Sequence, residues 1–449
     1  MARATFPSIV TLRLTSATRW LLLLPAVCAL FGCWFIVRWY VGNTVAEYAP
    51  SADEGGVEMA RMAARWAPGD PFTHWRLATL EQKIFSASNL ADAVREFQLA
   101  VTLSPNDYRY WMELGRALEA SGDTVGGEKA LRRAVELAPA YSYPRWYYGN
   151  LLLRAGKLDE AFAQLAWAAG ADPLMRAPVF NLAWQVFHGD ADKIAKAACS
   201  TAPVRMEFAT YLVRQNKVDE ATRLWRTITS ADRKANGELT QGFVNVLDQS
   251  RRFSALLEVL QQNEPGGDGP VREQFWNGSF ERDIEPTKAM TFYWVFGSSA
   301  QARVTRDTVA HDGQGSLRIV FTARNKLDAI PVAQTVVVDP GAQYNVEFYV
   351  RTENLNSGAT PLVSIVDATT NVALVSSPAA PTGTNNWQRI TVDFKTEPKC
   401  EGVIVNISRG TCGEDQLCPI YGTIWYDDFR LQRVGGSGSP GRAPAPGKR

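Results

Sequence analysis

The chain has 449 residues, a length that suits about two to four domains. Hydrophobic residues make up 46% of it and charged residues 21%, which is the composition of a globular protein with a sizeable core. The formal net charge is +1 and no dense basic tract occurs, so the charge balance gives no reason to expect nucleic acid as a partner.

An apolar segment near the N-terminus predicts a membrane-spanning helix. Residues 20–37 read WLLLLPAVCALFGCWFIV without a charge, and Arg19 and Arg38 flank them. This length is near the lower limit for crossing a bilayer, and aromatic residues at both ends suit its interfaces. We expect a transmembrane helix over residues 19–40. The alternative is a cleaved signal peptide, although no small-residue cleavage site follows the apolar run.

The charges around this segment predict its orientation. Arg3, Arg13 and Arg19 precede the apolar run, whereas only Arg38 closely follows it. Because positive charge favours the cytoplasmic side, residues 1–18 should be cytoplasmic and everything after Tyr40 should lie outside the inner membrane. The expected location is a single pass through a bacterial inner membrane, with the main domains periplasmic or otherwise extracytoplasmic.

An internal repeat follows. Proline recurs at positions 71, 105, 139 and 173, in steps of 34 residues, and each closes an amphipathic run. The unit 108–141 carries its large and small residues at fixed places, namely Trp111, Leu114, Gly115, Leu118, Leu131, Ala134 and Pro139. This pattern resembles tetratricopeptide repeats, in which small residues let two antiparallel helices approach closely. The resemblance implies an α-helical solenoid over residues 51–265, with an N-terminal cap over residues 55–67.

In tetratricopeptide proteins the first helix of each unit lines a concave groove. Carried over to this sequence, the groove residues are Trp75, Phe85, Arg109, Met112, Arg116, Tyr143, Trp146, Asn150, Arg154, Phe180 and Trp184. Arginine forks and aromatic faces suit a protein partner that presents an extended acidic peptide, or an acidic polymer. The alternative is that about half of these aromatics pack between repeats.

The composition changes after a Pro- and Gly-rich segment. Residues 264–270 read EPGGDGP, which predicts a hinge over residues 266–271 and a domain boundary there. Beyond it, residues 272–433 contain short alternating runs between turn signals, as in 316–321, 344–350 and 387–394. Such runs predict an antiparallel β-sandwich, so the fold class is α-helical plus all-β. Residues 434–449 form a Gly-, Pro- and Arg-containing tail that we expect to be disordered.

Four motifs give the β-domain a second resemblance. NGSFE at 277–281, DGQGSL at 312–317, PGAQY at 340–344 and WYDDFRL at 425–431 follow one another in the order of the jelly-roll carbohydrate-binding modules appended to xylanases and glucanases. The domain resembles that family, which implies a jelly roll that binds polysaccharide. Because pyranose rings stack on exposed aromatics, the candidate glycan-binding residues are Trp276, Tyr293, Trp294 and Tyr421. Trp387 and Trp425 are expected in the core.

The same resemblance implies a structural calcium ion. Glu281 and either Asp427 or Asp428 would supply carboxylates, and backbone carbonyls near Asp312 would complete the oxygen shell. The alternative is that the acidic pair is a solvated strand end. Cys412 and Cys418 are candidates for a disulfide outside the cytoplasm, although three cysteines in this domain allow other pairings.

The sequence carries no recognisable catalytic signature. It has 3 histidines, and none lies in a nucleophile elbow or a zinc-binding helix motif. A glycosidase would need two facing carboxylates, whereas neighbours such as Asp427 and Asp428 point to opposite faces of a strand. We therefore expect not an enzyme but a membrane-anchored scaffold of the Gram-negative envelope, accessory to assembly or export of a surface polysaccharide. The alternative is a purely protein-binding scaffold whose jelly roll binds no sugar.

Overall fold

The computed structural model describes residues 23–434, except 85, 264–267, 284–290, 298, 325–326, 328–329, 331, 411 and 414–416. The described residues form fifteen α-helices followed by ten β-strands, which confirms the predicted fold class. The chain divides into two compact units, residues 1–204 and residues 205–449. The predicted cytoplasmic segment 1–18 and residues 435–449 of the predicted tail lie outside the described residues.

The first unit begins with one long apolar helix, α1, over Leu23–Glu47. This helix is long and apolar enough to cross a membrane. The sequence predicted that the helix ends at Tyr40, but it continues to Glu47. Its last turns pack against protein, since Gly42 and Ala46 are buried. A short 3₁₀ turn over Ala52–Glu54 leads into α2, Gly56–Trp66, at the place of the predicted cap.

Antiparallel helix pairs follow in the first unit. Their bounds are α3 Pro71–Gln82, α4 Ala87–Leu103, α5 Tyr108–Ala120, α6 Thr124–Leu137, α7 Ser142–Arg154, α8 Leu158–Ala171, α9 Pro173–Val186 and α10 Ala191–Ala198. Small residues bring the paired helices together, since a Cβ on Gly115 would lie 2.6 Å from Leu131 Cγ and one on Gly149 would lie 2.8 Å from Leu165 Cγ. The predicted repeat thus packs as tetratricopeptide units do.

The division between the units falls within α11, Ala202–Arg214. The second unit continues with α12 Val218–Arg226, α13 Ser230–Ala235, α14 Gly237–Gln249 and α15 Phe253–Asn263. Trp225 of α12 is fully buried and stacks on Phe243 of α14, with ring centroids 4.2 Å apart. Arg226 of α12 donates two hydrogen bonds to the Glu258 carboxylate of α15.

The strands of the second unit form a sandwich of two antiparallel five-stranded sheets. Their bounds are β1 Val295–Phe296, β2 Ala302–Asp307, β3 Ser316–Ala323, β4 Val332–Val337, β5 Gln343–Ser357, β6 Pro361–Asp367, β7 Ala373–Ser376, β8 Gly383–Lys395, β9 Gly402–Arg409 and β10 Ile420–Arg433. One sheet has the order β1-β4-β9-β6-β7 and the other β2-β3-β10-β5-β8. Their inner faces enclose one core, in which Phe280, Phe348 and Tyr426 are almost fully buried.

The last helices pack directly on this sandwich. Arg251 donates to the carbonyl oxygens of Ala368 and Thr369, and the Glu401 carboxylate accepts the Ser254 N–H at the start of α15. A Cβ on Gly402 would lie 3.0 Å from the Phe253 ring. The helices on one side of the predicted hinge and the strands on the other therefore share one compact unit. Residues 266–267 of the hinge lie outside the described residues.

Candidate functional site

The outer face of the sheet β2-β3-β10-β5-β8 carries a group of aromatic and charged side chains. In β5, Tyr344, Phe348 and the residues of the same parity fill the core. Successive side chains in a strand point to opposite faces, so Tyr349 and Arg351 project from the outer face. Both are only half-buried.

An aromatic cluster lies on this face. The imidazole of His311, from the loop between β2 and β3, stacks on the Tyr349 ring with centroids 3.6 Å apart and an angle of 16° between the planes. The Trp387 indole of β8 meets the same imidazole edge-on at 5.9 Å. Three flat rings at a partly exposed surface can offer an apolar platform to the C–H face of a sugar.

Charged side chains lie on the same sheet face next to these rings. The Trp425 indole of β10 lies between the guanidinium groups of Arg318 and Arg351, which are 5.7 and 5.4 Å from its ring centroid. Its Nε1 donates to the Asp307 carboxylate at 3.0 Å. Trp425 is thereby covered, and the arginines and Asp307 are the groups that can reach sugar hydroxyls.

Only one of the four predicted glycan-binding residues lies on this face. Tyr421 is exposed on β10 opposite Thr322, whose side chain is also exposed. Trp294 was wrongly predicted as a contact residue, since it is 3% exposed and packs in the core against Phe280 and Phe429. Trp276 and Tyr293 contact each other at 4.5 Å, and Trp276 packs against the core cluster.

The expectation that Trp387 lies in the core was also wrong, because Trp387 is only half-buried, whereas Trp425 is buried as expected, although on the outer sheet face between Arg318 and Arg351. In the run 387–394 the core-facing residues are Ile390, Val392 and Phe394, so Trp387 shares its parity with polar Arg389 and Thr391. Tyr349 likewise shares the parity of Glu347 and Arg351. Strand parity was therefore the signal that could have identified both aromatics from the sequence.

A β-bulge changes the expected geometry of the acidic pair. Pairing of β10 with β5 shifts register between Asp427 and Arg430, and Asp428 has a φ of 51°. The two carboxylates consequently do not diverge: Asp427 accepts the His311 N–H at 2.7 Å and Asp428 contacts His311 Nδ1 at 2.8 Å. Burial raises the pKa of Asp427 to about 6. The pair fixes the loop that carries His311.

The predicted calcium ligands have partners within the chain. Glu281 accepts the N–H groups of Gln314 and Gly315, at 2.8 and 3.1 Å. The Arg306 guanidinium lies where backbone oxygens converge, donating to the carbonyls of Phe280, Glu281 and Gln314 at 2.7, 3.2 and 3.3 Å. Within the described residues no cluster of three or more His, Cys, Asp or Glu side chains could hold a metal.

The cysteines pair as predicted. Cys412 and Cys418 form a disulfide, while Cys400 is buried with a free thiol. Burial raises the pKa of the Cys400 thiol to about 12, so it is protonated and unreactive at neutral pH.

The first unit contains a second candidate surface. A groove of about 800 Å³ lies at the C-terminal turns of α3, α5 and α7, and four predicted residues line it, namely Arg116, Trp146, Asn150 and Arg154. Arg116 lies 4.5 Å over the Tyr147 ring. Arg154 donates two hydrogen bonds to the Glu119 carboxylate, at 2.6 and 2.7 Å. Tyr147 and Glu119, which were not predicted, also line the groove.

Other predicted groove residues have structural contacts instead. Phe180 is 2% exposed, and Trp75 and Met112 pack against buried clusters, as expected if aromatics fill the space between repeats. Arg109 pairs with Asp107 at the start of α5, and Trp184 covers Gly189. Tyr143 is exposed without lining the groove, and Phe85 lies outside the described residues.

Comparison with known proteins separates the two parts of the chain. Residues 272–413 match the family model described as "Carbohydrate binding domain". DnaJ homolog subfamily C member 3 of Bos taurus is 34% identical over 82 residues, which are 18% of this chain and 16% of that protein. Superkiller protein 3 of Schizosaccharomyces pombe is 31% identical over 93 residues, which are 21% of this chain and 7% of that protein. The chain thus spans less than a fifth of these relatives.

Solved structures resemble each part separately. The structure titled "CBM4 structure and function" covers 35% of this chain and 99% of its own, with 16% identity and a TM-score of 0.27. MamA 41-end from Desulfovibrio magneticus RS-1 covers 44% of this chain and 96% of its own, with 14% identity and a TM-score of 0.28. The chain combines a tetratricopeptide-like helical solenoid with a C-terminal domain similar to carbohydrate-binding modules.

Proposed function

We propose that this chain is a membrane-anchored, non-catalytic binding protein of the cell envelope, whose C-terminal sandwich binds polysaccharide and whose solenoid binds a protein. The observation that carries the proposal is the outer sheet face, on which Tyr349, Trp387 and His311 form a partly exposed aromatic platform beside Arg351. The match of residues 272–413 to a carbohydrate binding domain supports it.

The anchor is supported by how α1 ends. A cleaved signal peptide would remove or fray the turns that bury Gly42 and Ala46 against the protein. The Arg76 guanidinium also caps the carbonyl oxygens of Ala46 and Ala49. An uncleaved helix keeps these contacts, so anchoring agrees with the fold of the first unit. In an envelope, the anchor would hold both binding modules at high effective concentration next to the membrane.

The groove of the first unit favours a protein partner. Arg116 and Arg154 are both paired with glutamates, so an acidic ligand has to replace these glutamates rather than meet free charges. The half-buried rings of Trp146 and Tyr147 offer apolar contacts beside them. An extended peptide with acidic and apolar residues in alternation fits this lining best.

The test is affinity electrophoresis of the full chain in detergent, through gels that contain soluble polysaccharides. Retardation by one polymer should be lost in Trp387→Ala and Tyr349→Ala. It should persist in Tyr141→Ala, a matched control that removes an exposed aromatic of the solenoid. Unchanged mobility across a broad panel of polymers would favour the alternative, a scaffold that binds only proteins.

A further inference from the structure

The end of α1 is built into the first helical layer rather than joined to it by a linker. A Cβ on Gly42 would lie 2.6 Å from Ala67 Cβ and 3.0 Å from the Ala63 carbonyl oxygen, so the backbones of α1 and α2 touch there. Ala46, one turn later, is fully buried. Such close backbone approach through small residues is typical of tightly packed helix pairs.

Polar contacts fix the same junction. Asn43 donates to the Asp70 carboxylate at 2.8 Å, and Arg76 donates to the carbonyl oxygens of Ala46 and Ala49 at 3.2 and 2.6 Å. The last carbonyls of a helix have no partner within it, and this arginine of α3 binds one of them, that of Ala46, together with the Ala49 carbonyl just beyond the helix end. The helix α1 is therefore held by α2 and by α3 at once.

Because α2 runs antiparallel to α1, its last turn returns to the end of the apolar segment. The Arg38 guanidinium, directly after residues 20–37, donates to the Arg65 carbonyl oxygen of α2 at 2.9 Å. Four exposed aromatic or basic side chains lie around this contact, namely Trp39, Tyr40, Arg65 and Trp66. Met62, one turn before Trp66, is exposed as well.

We propose that the last turn of α2 lies in the phospholipid headgroup layer beside α1, with Trp66 at the interface and Arg65 at the lipid phosphates. The inference rests on the proposed membrane crossing by α1. Indole rings favour the interface, and guanidinium groups bind phosphate, so the exposed residues match this position chemically. The solenoid is then not a domain on a flexible tether, because its first layer rests on the membrane and its orientation is fixed.

The test is site-specific fluorescence of the full chain in nanodiscs of phosphatidylcholine and phosphatidylglycerol. In a Cys28→Ala, Cys33→Ala background, Trp66→Cys, Trp34→Cys and Val125→Cys each receive one environment-sensitive dye. The remaining thiols, Cys199 and Cys400, are buried. A lipid with a nitroxide on its headgroup should remove most of the emission at position 66, and iodide should remove little. Position 125, exposed on α6, should show the reverse.

The controls separate two kinds of failure. If dye at position 34 is not quenched by a nitroxide on the lipid acyl chain, α1 does not cross the membrane and the proposed anchoring is wrong. If position 34 is quenched but position 66 responds to iodide as position 125 does, the anchoring stands and the headgroup contact is refuted. Gly42→Leu, which cannot fit against Ala67, should release the α2 turn and lower the headgroup quenching at position 66.

Discussion

Arg306 supplies a positive charge where the sequence predicted a metal ion. Its guanidinium donates hydrogen bonds to three backbone carbonyl oxygens. It also lies close to the Gly315 backbone, since a Cβ on Gly315 would be 2.6 Å from the Arg306 Nη2. The five donors of arginine form a fixed fork, which suits several acceptors at once. We therefore propose that this guanidinium, and not a calcium ion, holds these carbonyl oxygens together.

The prediction for Arg306 concerns stability and metal dependence. Arg306→Met should lower the free energy of unfolding by about 1 kcal/mol, because three backbone carbonyls lose their donor and one of them, that of Phe280, belongs to a buried residue. The melting temperature of the wild-type chain should be equal in calcium and in chelator, as scanning calorimetry would show. A wild-type melting temperature that falls on chelation would contradict this and restore the predicted calcium site.

The buried pair His74–Glu96 predicts a pH dependence. Its Nδ1 to Oε2 distance is 2.7 Å. The hydrogen bond to Glu96 raises the pKa of His74, while burial opposes the shift. Burial would raise the pKa of Glu96, but the hydrogen bond and charge of His74 outweigh it and lower that pKa. The pair thus holds both groups charged.

The stabilisation by this pair should be largest between the ordinary pKa values of the two groups, 4.5 and 6.5. It should fall as the pH rises through the raised pKa of His74, and again as the pH drops through the lowered pKa of Glu96. Urea titrations of the wild type and of His74→Gln at several pH values would measure it as a difference of about 1 kcal/mol. A difference that does not change from pH 4 to pH 9 would argue against the ion pair.

At the scale of the element, one substitution should act with opposite sign in two helices. Gly115→Ala places a Cβ 2.6 Å from Leu131 Cγ and should cost about 1 to 3 kcal/mol of stability, because α5 and α6 must separate. Gly242→Ala, in α14, meets no atom within 4 Å and should stabilise by about 0.5 to 1 kcal/mol. Thermal denaturation of both variants measures the two changes in stability. If both substitutions stabilise the protein equally, helix propensity alone determines the effect and the close packing at Gly115 does not contribute.

How much the sequence predicts differs between elements. The 34-residue period and the small residues at Gly115 and Gly149 predicted the helix pairs, because such periodicity reflects local packing. Strand existence was equally predictable, but Trp387 was assigned to the core because its apolar neighbours were weighed above strand parity. Trp294, which lies just before β1, was taken for an exposed aromatic although it is buried. The bulge at Asp428 and the docking of Phe253 on Gly402 could not be predicted, because both depend on contacts between segments distant in sequence.

At the scale of the whole molecule, we propose two binding modules on one anchored chain. The sandwich presents the aromatic platform, and the solenoid presents a separate groove within its own unit. The packing of α14 and α15 on the sandwich means that the predicted hinge cannot release the strands from the last helices without breaking the Ser254–Glu401 contact. The central claim is that the polysaccharide binds to the outer sheet face of the sandwich and not to the groove of the solenoid.

Hydroxyl-radical footprinting of the full chain, with and without a polysaccharide that it binds, tests this claim most directly. Oxidation of Tyr349, Trp387 and Tyr421 should decrease on binding, because sugar rings would cover the outer sheet face. Tyr143 and Trp146 of the solenoid should keep their oxidation rates. Protection of Tyr143 and Trp146 without protection of the sheet face would contradict the account, since the solenoid would then be the polysaccharide-binding module.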